Sequence, residues 1–264
     1  MQQVQDTFNL SSLSNSLLND VYIDAMNLDD NDNTYLHHIV QQCDDDTEFL
    51  VRKLINKHTI LDHQNIFGQT VYHLAARFAP PNIFKLLIEL PGDFYDHDQE
   101  MDIDDVHGNS VAHYASADNI PILAEYGFTL NRRNFDGLTP LLDAVHKNHI
   151  ERACTLLEYG ALPNCVDRNG NSALHYCVSR HVIRGPIIDA IFSAPNTKYN
   201  IKNKDGFNPL DIAINLRSPE LIRKLWYTWE FKAHELNHWL HSDELSNSFK
   251  KFLQTLPALR TGIS

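Results

Sequence analysis

The sequence predicts an all-α protein, a solenoid of short helical repeats, and three observations predict it. One glycine-led motif recurs along the chain, each copy carries residues that start a helix, and the flanking segments are amphipathic at helical spacing. Three copies share one template: Gly68-Gln69-Thr70-Val71-Tyr72-His73-Leu74-Ala75-Ala76, Gly108-Asn109-Ser110-Val111-Ala112-His113-Tyr114-Ala115-Ser116 and Gly170-Asn171-Ser172-Ala173-Leu174-His175-Tyr176-Cys177. Two variants, Gly137-Leu138-Thr139-Pro140-Leu141-Leu142-Asp143-Ala144 and Gly206-Phe207-Asn208-Pro209-Leu210-Asp211-Ile212-Ala213, keep the glycine and add proline. A sixth, weaker copy, Asp32-Asn33-Thr34-Tyr35-Leu36-His37-His38-Ile39, puts Asp32 where the others have glycine.

Each position has a physical sense. Glycine permits the positive φ of a tight turn, the Ser or Thr two places on caps the following helix, and proline suits a first helical turn. The motif resembles the ankyrin repeat, whose signature Gly-x-Thr-Pro-Leu-His-x-Ala-Ala opens a helix, and the resemblance covers most of the chain. It implies helix-turn-helix repeats joined by β-hairpin-like loops. Spacings from Gly68 to Gly108, Gly137, Gly170 and Gly206 are 40, 29, 33 and 36 residues, against an ankyrin period of about 33. The repeat from Gly137 to Asp167 matches most fully, with Leu156, Leu157, Gly160, Ala161 and Asn164 reproducing the family's ending. The copy opened by Gly108 is short, which predicts a clipped first helix, and the copy before it carries an insertion between Pro91 and Asp105.

The ends of a repeat array expose an apolar face that must be covered. Residues 1–29 are expected to form an N-terminal capping helix, with Leu13, Leu17, Leu18, Val21, Ile23 and Met26 at helical spacing. Residues 30–230 then hold five clear repeats plus one degenerate, and residues 231–264 a C-terminal helical cap or tail. Leu221 to Leu256 reads as two to three closing helices.

Composition narrows function. Lys and Arg number 22 against 34 acidic residues, so the formal charge is -12, which repels a phosphate backbone and excludes nucleic acid as the expected partner. The four cysteines, Cys43, Cys154, Cys165 and Cys177, form no CxxC pair and write neither a disulfide framework nor a zinc ribbon. No stretch approaches a membrane span, and the N-terminus has no signal-peptide pattern, so a soluble cytoplasmic protein is expected.

The ankyrin resemblance implies a protein-protein interaction module whose partner lies on the concave face and hairpin tips. Carried onto this sequence, the contact positions are Ile66, Phe67, Arg77 and Phe78; His107; Arg133, Phe135 and Lys147; and Arg168, Arg180, Lys204 and Phe207. A loop tip has no folding reason to carry a large aromatic, so Phe67, Phe135 and Phe207 are the expected anchors. The diverged, irregular repeats are similar to ankyrin effectors that intracellular bacteria or viruses deliver into eukaryotic cells.

Chemistry finds one competitor. His234-Glu235-Leu236-Asn237-His238 is a literal HExxH, so the alternative function is a zinc-dependent hydrolase with His234 and His238 as ligands. A third ligand is missing where related patterns place it: Glu244 stands six residues after His238, and His241 shares the helix face. No catalytic residue, metal or cofactor is therefore expected. The acidic run from Asp96 to Asp104 lacks the glycine and the terminal glutamate of a calcium loop, with Met101 and His107 in those places. In the ankyrin resemblance His37, His73, His113 and His175 tie neighbouring repeats through the turn backbone. Neutral imidazole suits that role, so the stack is expected to lose stability below about pH 6.

Overall fold

In the computed structural model residues 28–55, 60–90, 101–179, 186–228, 236–241 and 245–258 are described. Two compact units divide the chain, residues 1–143 with 151–161 and residues 144–150 with 162–264. The expected N-terminal helix, Arg180 and the first part of the acidic insertion lie outside the described residues.

In the first unit helices come in pairs. Helices α1 (Tyr35–Gln42) and α2 (Thr47–Leu54) form the degenerate repeat, followed by α3 (Val71–Phe78) with α4 (Pro81–Glu89). Then come α5 (Val111–Tyr114) with α6 (Ile120–Glu125), and α7 (Pro140–His146) with α8 (Ile150–Glu158), α7 straddling the boundary between the units. The second unit holds α9 (Ala173–Ser179) with α10 (Pro186–Ser193) and α11 (Pro209–Asn215) with α12 (Pro219–Thr228). It closes on α13 (Asn237–Leu240) and α14 (Asn247–Ala258). No strand occurs among the described residues, where one isolated bridge pairs Val166 with Ser172.

Packing follows the motif. The first helices from α3 onward bury small residues, Ala75 and Ala76 on α3, Ala112 on α5, Ala144 on α7, Ala173 on α9 and Ala213 on α11, and these let neighbouring helices approach. Branched and aromatic residues of the second helices fill the space behind: Ile83, Phe84 and Leu87 on α4, and Leu221, Ile222, Leu225 and Trp226 on α12. Leu253 and Leu256 of α14 are buried, and the Arg223 guanidinium of α12 lies 5.1 Å from the Phe252 ring centroid of α14. The degenerate repeat makes the same turn as the others. Asp32 adopts φ 58°, the left-handed conformation the motif glycines take.

Four repeats start their first helix with a Ser or Thr cap and a histidine three residues later. The Nδ1 of His37, His73, His113 and His175 accepts the N–H of Thr34, Thr70, Ser110 and Ser172 at 3.1 to 3.2 Å. Since Nδ1 accepts this hydrogen bond, the ring proton sits on Nε2. That nitrogen lies 3.0 to 3.2 Å from the carbonyl oxygen of Gln69, Asn109, Leu138 and Phe207, each one residue past the motif glycine of the next repeat, and donates to it. One neutral ring thus caps its own helix and holds the following hairpin. In the Gly206 copy Asp211 replaces histidine and caps reciprocally with Asn208, at 3.0 and 2.9 Å.

Burial lowers the proton affinity of all four rings, to about 4 for His37. Because the folded pKa lies below the unfolded value of about 6.5, the unfolded chain takes up protons first as pH falls. The stability these rings supply is complete above about pH 6.5 and drains away on acidification toward the folded pKa, about 4 for His37. The urea midpoint is therefore expected to hold steady above neutrality and fall between about pH 6.5 and 4. A flat midpoint across that window would show that the imidazoles contribute nothing.

Candidate functional site

The hairpin tips are built by one residue each, three places before the glycine position: Asp29, Asn65, Asp105, Asn134, Asp167 and Asn203. In every case the side-chain Oδ1 accepts the N–H groups two and four residues on, at 2.7 to 3.1 Å. With the turn backbone satisfied this way, the hairpin hydrogen bonds do not depend on the other tip side chains. Burial opposes the charge on Asp105 and Asp167, yet the Tyr114 and Tyr176 hydroxyls, each donating at 2.6 Å, and the N–H groups hold both carboxyls below the usual range.

Aspartate and asparagine alternate at this position. Where asparagine stands, its amide donates to the preceding hairpin: Asn65 to Asn33 at 2.9 Å, Asn134 to Asn109 at 2.9 Å and Asn203 to Asn171 at 3.0 Å. Successive tips are also joined by main chain. Ile66 donates to the Asn31 carbonyl, Val106 to Phe67 and Phe135 to His107 in the first unit, and Lys204 to Asn169 in the second, at 2.8 to 3.2 Å.

The first unit presents apolar tips. Ile66, Phe67, Val106 and Phe135 are 50%, 52%, 52% and 62% exposed. A Cβ added at Gly108, whose φ is +73°, would come within 2.6 Å of the Phe135 ring, so that ring lies against the neighbouring hairpin and still keeps most of its surface in solvent. His107 and Arg133 are exposed beside it, and Arg77 and Phe78 end α3 with the guanidinium 4.9 Å from the ring centroid. The second unit presents Lys147, Arg168, Lys204 and Phe207, all exposed. Here the tips are basic with one aromatic.

Sequence reasoning anticipated the short α5, a single turn, and missed what completes it. A helix that stops after one turn leaves its carbonyls without partners. Arg152 of α8 supplies them, donating to the Ala112 carbonyl at 3.2 Å and to that of His113, while Asp143 of α7 pairs with its guanidinium at 3.3 Å. Both side chains are nearly buried, at 11% and 7% exposure. The signal was Asp143, one residue past the motif-histidine position that Leu142 fills, a carboxylate within the inner helix that requires a donor.

Elsewhere the chemistry is quiet. Burial pushes the Cys177 thiol up to about 12, which fits a packing role. Asp104 pairs with Arg132 at 3.0 Å. His234 and Glu235 lie outside the described residues, and among the described residues no group of His, Cys, Asp or Glu is arranged to hold a metal ion. None of the described helices is long and apolar enough to cross a membrane.

Residues 122–177 match the family described as ankyrin repeats (many copies). The ankyrin repeat domain of Bcl-3 superposes with TM-score 0.64 at 21% identity, covering 85% of this chain and 95% of that one. The chain has the fold of an ankyrin repeat domain. A second such domain, from Acinetobacter baumannii, superposes with TM-score 0.59 at 22% identity over 73% of this chain and 96% of that one. Among sequence relatives, the phosphocholine transferase AnkX of Legionella pneumophila is 34% identical over 42% of this chain and 12% of its own length. An inhibitor of apoptosis of vaccinia virus is 36% identical over 33% of this chain and 21% of its length. An ankyrin repeat protein of Acanthamoeba polyphaga mimivirus is 24% identical over 69% and 25%. The chain thus spans a quarter or less of these relatives.

Within this array, Asp143→Ala leaves the Arg152 charge buried without a carboxylate and is expected to cost about 3 kcal/mol in urea denaturation. Replacing both, Asp143→Ala with Arg152→Met, is expected to recover part of that loss. A double variant no more stable than the single one would show that the pair is not coupled.

Proposed function

We propose that this chain is a protein-protein interaction module that takes a partner protein on its inner helices and hairpin tips and performs no catalysis itself. The observation that carries this reading is the run of Ile66, Phe67, Val106 and Phe135 on three adjacent tips, large apolar side chains with half or more of their surface in solvent. Arg77, Phe78, His107 and Arg133 belong to the same surface. In the second unit Lys147, Arg168, Lys204 and Phe207 are exposed and favour acidic stretches of the partner, and Arg180, a contact position carried over from the resemblance, lies outside the described residues. An export signal in the polar stretch from Ser242 to Ser264 goes with a further reading, that the protein is a secreted effector acting in the cytoplasm of a eukaryotic host cell. It is supported by the sequence relatives in Legionella pneumophila, vaccinia virus and mimivirus.

The test uses the full chain as bait in eukaryotic cytosolic extract, beside a variant with Phe67, Phe135 and Phe207 changed to Ala. A partner retained by the parent and weakened at least about tenfold by the still-folded variant is the expected outcome. Equal retention by both proteins would remove the tip aromatics from the site. Zinc bound stoichiometrically by the purified chain, and lost in His234→Ala, would instead support the hydrolase reading.

A further inference from the structure

The imidazole hydrogen bonds are shared unequally between the two compact units. In the first, residues 1–143 with 151–161, three rings reach forward: His37 to the Gln69 carbonyl, His73 to that of Asn109 and His113 to that of Leu138. In the second, residues 144–150 with 162–264, the one such ring among the described residues is His175, on the Phe207 carbonyl. The fourth and sixth copies have no imidazole to offer, since Leu142 and Asp211 fill the motif-histidine position.

Each of these rings is committed at both nitrogens. Nδ1 accepts the N–H of the helix cap, so a second ring proton sets a donor against a donor and breaks the cap. Burial is the largest influence on all four rings and disfavours that proton. Neighbouring charges modify it. At His37, His63 and His38 oppose the proton and Asp29 favours it. At His73, which meets the Tyr114 ring edge-on at 5.5 Å, Asp102, Asp104 and Asp105 favour it. At His113, Asp143 and Asp105 favour it and Arg152 opposes it, and at His175 Asp167 and Asp211 favour it. Burial prevails at every ring.

In the unfolded chain each ring titrates near about 6.5, so between pH 7 and 5 it takes up protons that the folded unit refuses. For His37, with a folded value of about 4, this alone lowers the folded-to-unfolded ratio of its unit about twentyfold. The carboxyls of Asp29, Asp105 and Asp167, held below their usual range, lose their contribution only below this window. Burial raises the Asp102 carboxyl of the first unit, which works in the opposite sense, one group against three rings.

We propose that the first unit is an acid-sensitive element: mild acidification opens it selectively, withdrawing the apolar tips Ile66, Phe67, Val106 and Phe135, while the second unit keeps most of its stability. The consequence for a partner rests on the interaction reading above; the difference in stability does not.

Urea titrations of the full chain at pH 7 and pH 5, pulse-labelled with deuterium and read by mass spectrometry on peptides from each unit, test it. Between those pH values the midpoint of first-unit peptides is expected to fall at least about twice as far as that of second-unit peptides. Fluorescence follows the second unit independently, because Trp226, Trp229 and Trp239 all belong to it. His73→Leu, which copies Leu142, should reduce the first unit's pH-dependent fall by about a third, and His175→Leu should flatten that of the second unit alone. Equal falls in the two units, a single common transition at both pH values, or a folded His73→Leu variant as pH-sensitive as the parent overturns the proposal. Should His73→Leu not fold, the two midpoints of the parent decide. No partner enters the measurement, so its failure leaves the interaction reading untouched.

Discussion

The imidazole that caps one helix while holding the next hairpin is the contact on which the rest of the architecture depends. A single repeat cannot bury its apolar face alone, so whatever fixes the register between neighbours decides whether the core forms. His37, His73, His113 and His175 do this with both ring nitrogens in defined roles, Nδ1 accepting and Nε2 donating. The ring is buried, which excludes water from both hydrogen bonds and also makes its proton affinity sensitive to folding. Local capping and long-range order are therefore one interaction.

Much of this was legible in the motif. Glycine positions, caps and histidines were read from residue type alone, and even Asp32 makes the glycine-like turn because its short polar side chain tolerates the left-handed region. The clipped helix was legible from spacing, since four residues removed between Gly108 and Gly137 have to come from somewhere. Its repair was not. Arg152 lies on the following repeat's second helix, and a pattern read along the chain does not show that its guanidinium returns to the carbonyls of Ala112 and His113.

The surface was partly legible for the same reason. Tip positions are fixed by the hairpin, so Phe67 and Phe135 could be placed in solvent from sequence, and they are more than half exposed. That the Phe135 ring also lies over Gly108 follows from the distance between adjacent tips, which sequence does not encode. Arg77 and Phe78 are contact positions by resemblance, but that Ser116 and Asn119 of the next repeat hydrogen-bond to the end of the same helix does not follow from the pattern.

The alternation of aspartate and asparagine at the tips sets a rule for how such a chain can change length. Asn65, Asn134 and Asn203 each hand an amide proton back to the hairpin before, whereas Asp105, being a carboxylate, has none to hand to Asn65's repeat. The side-chain ladder is thus written in couplets. Gain or loss of two adjacent repeats keeps every amide matched, while gain or loss of one strands an asparagine or sets carboxylates on successive tips. The natural grain of this array is the pair, about twice the familiar ankyrin period.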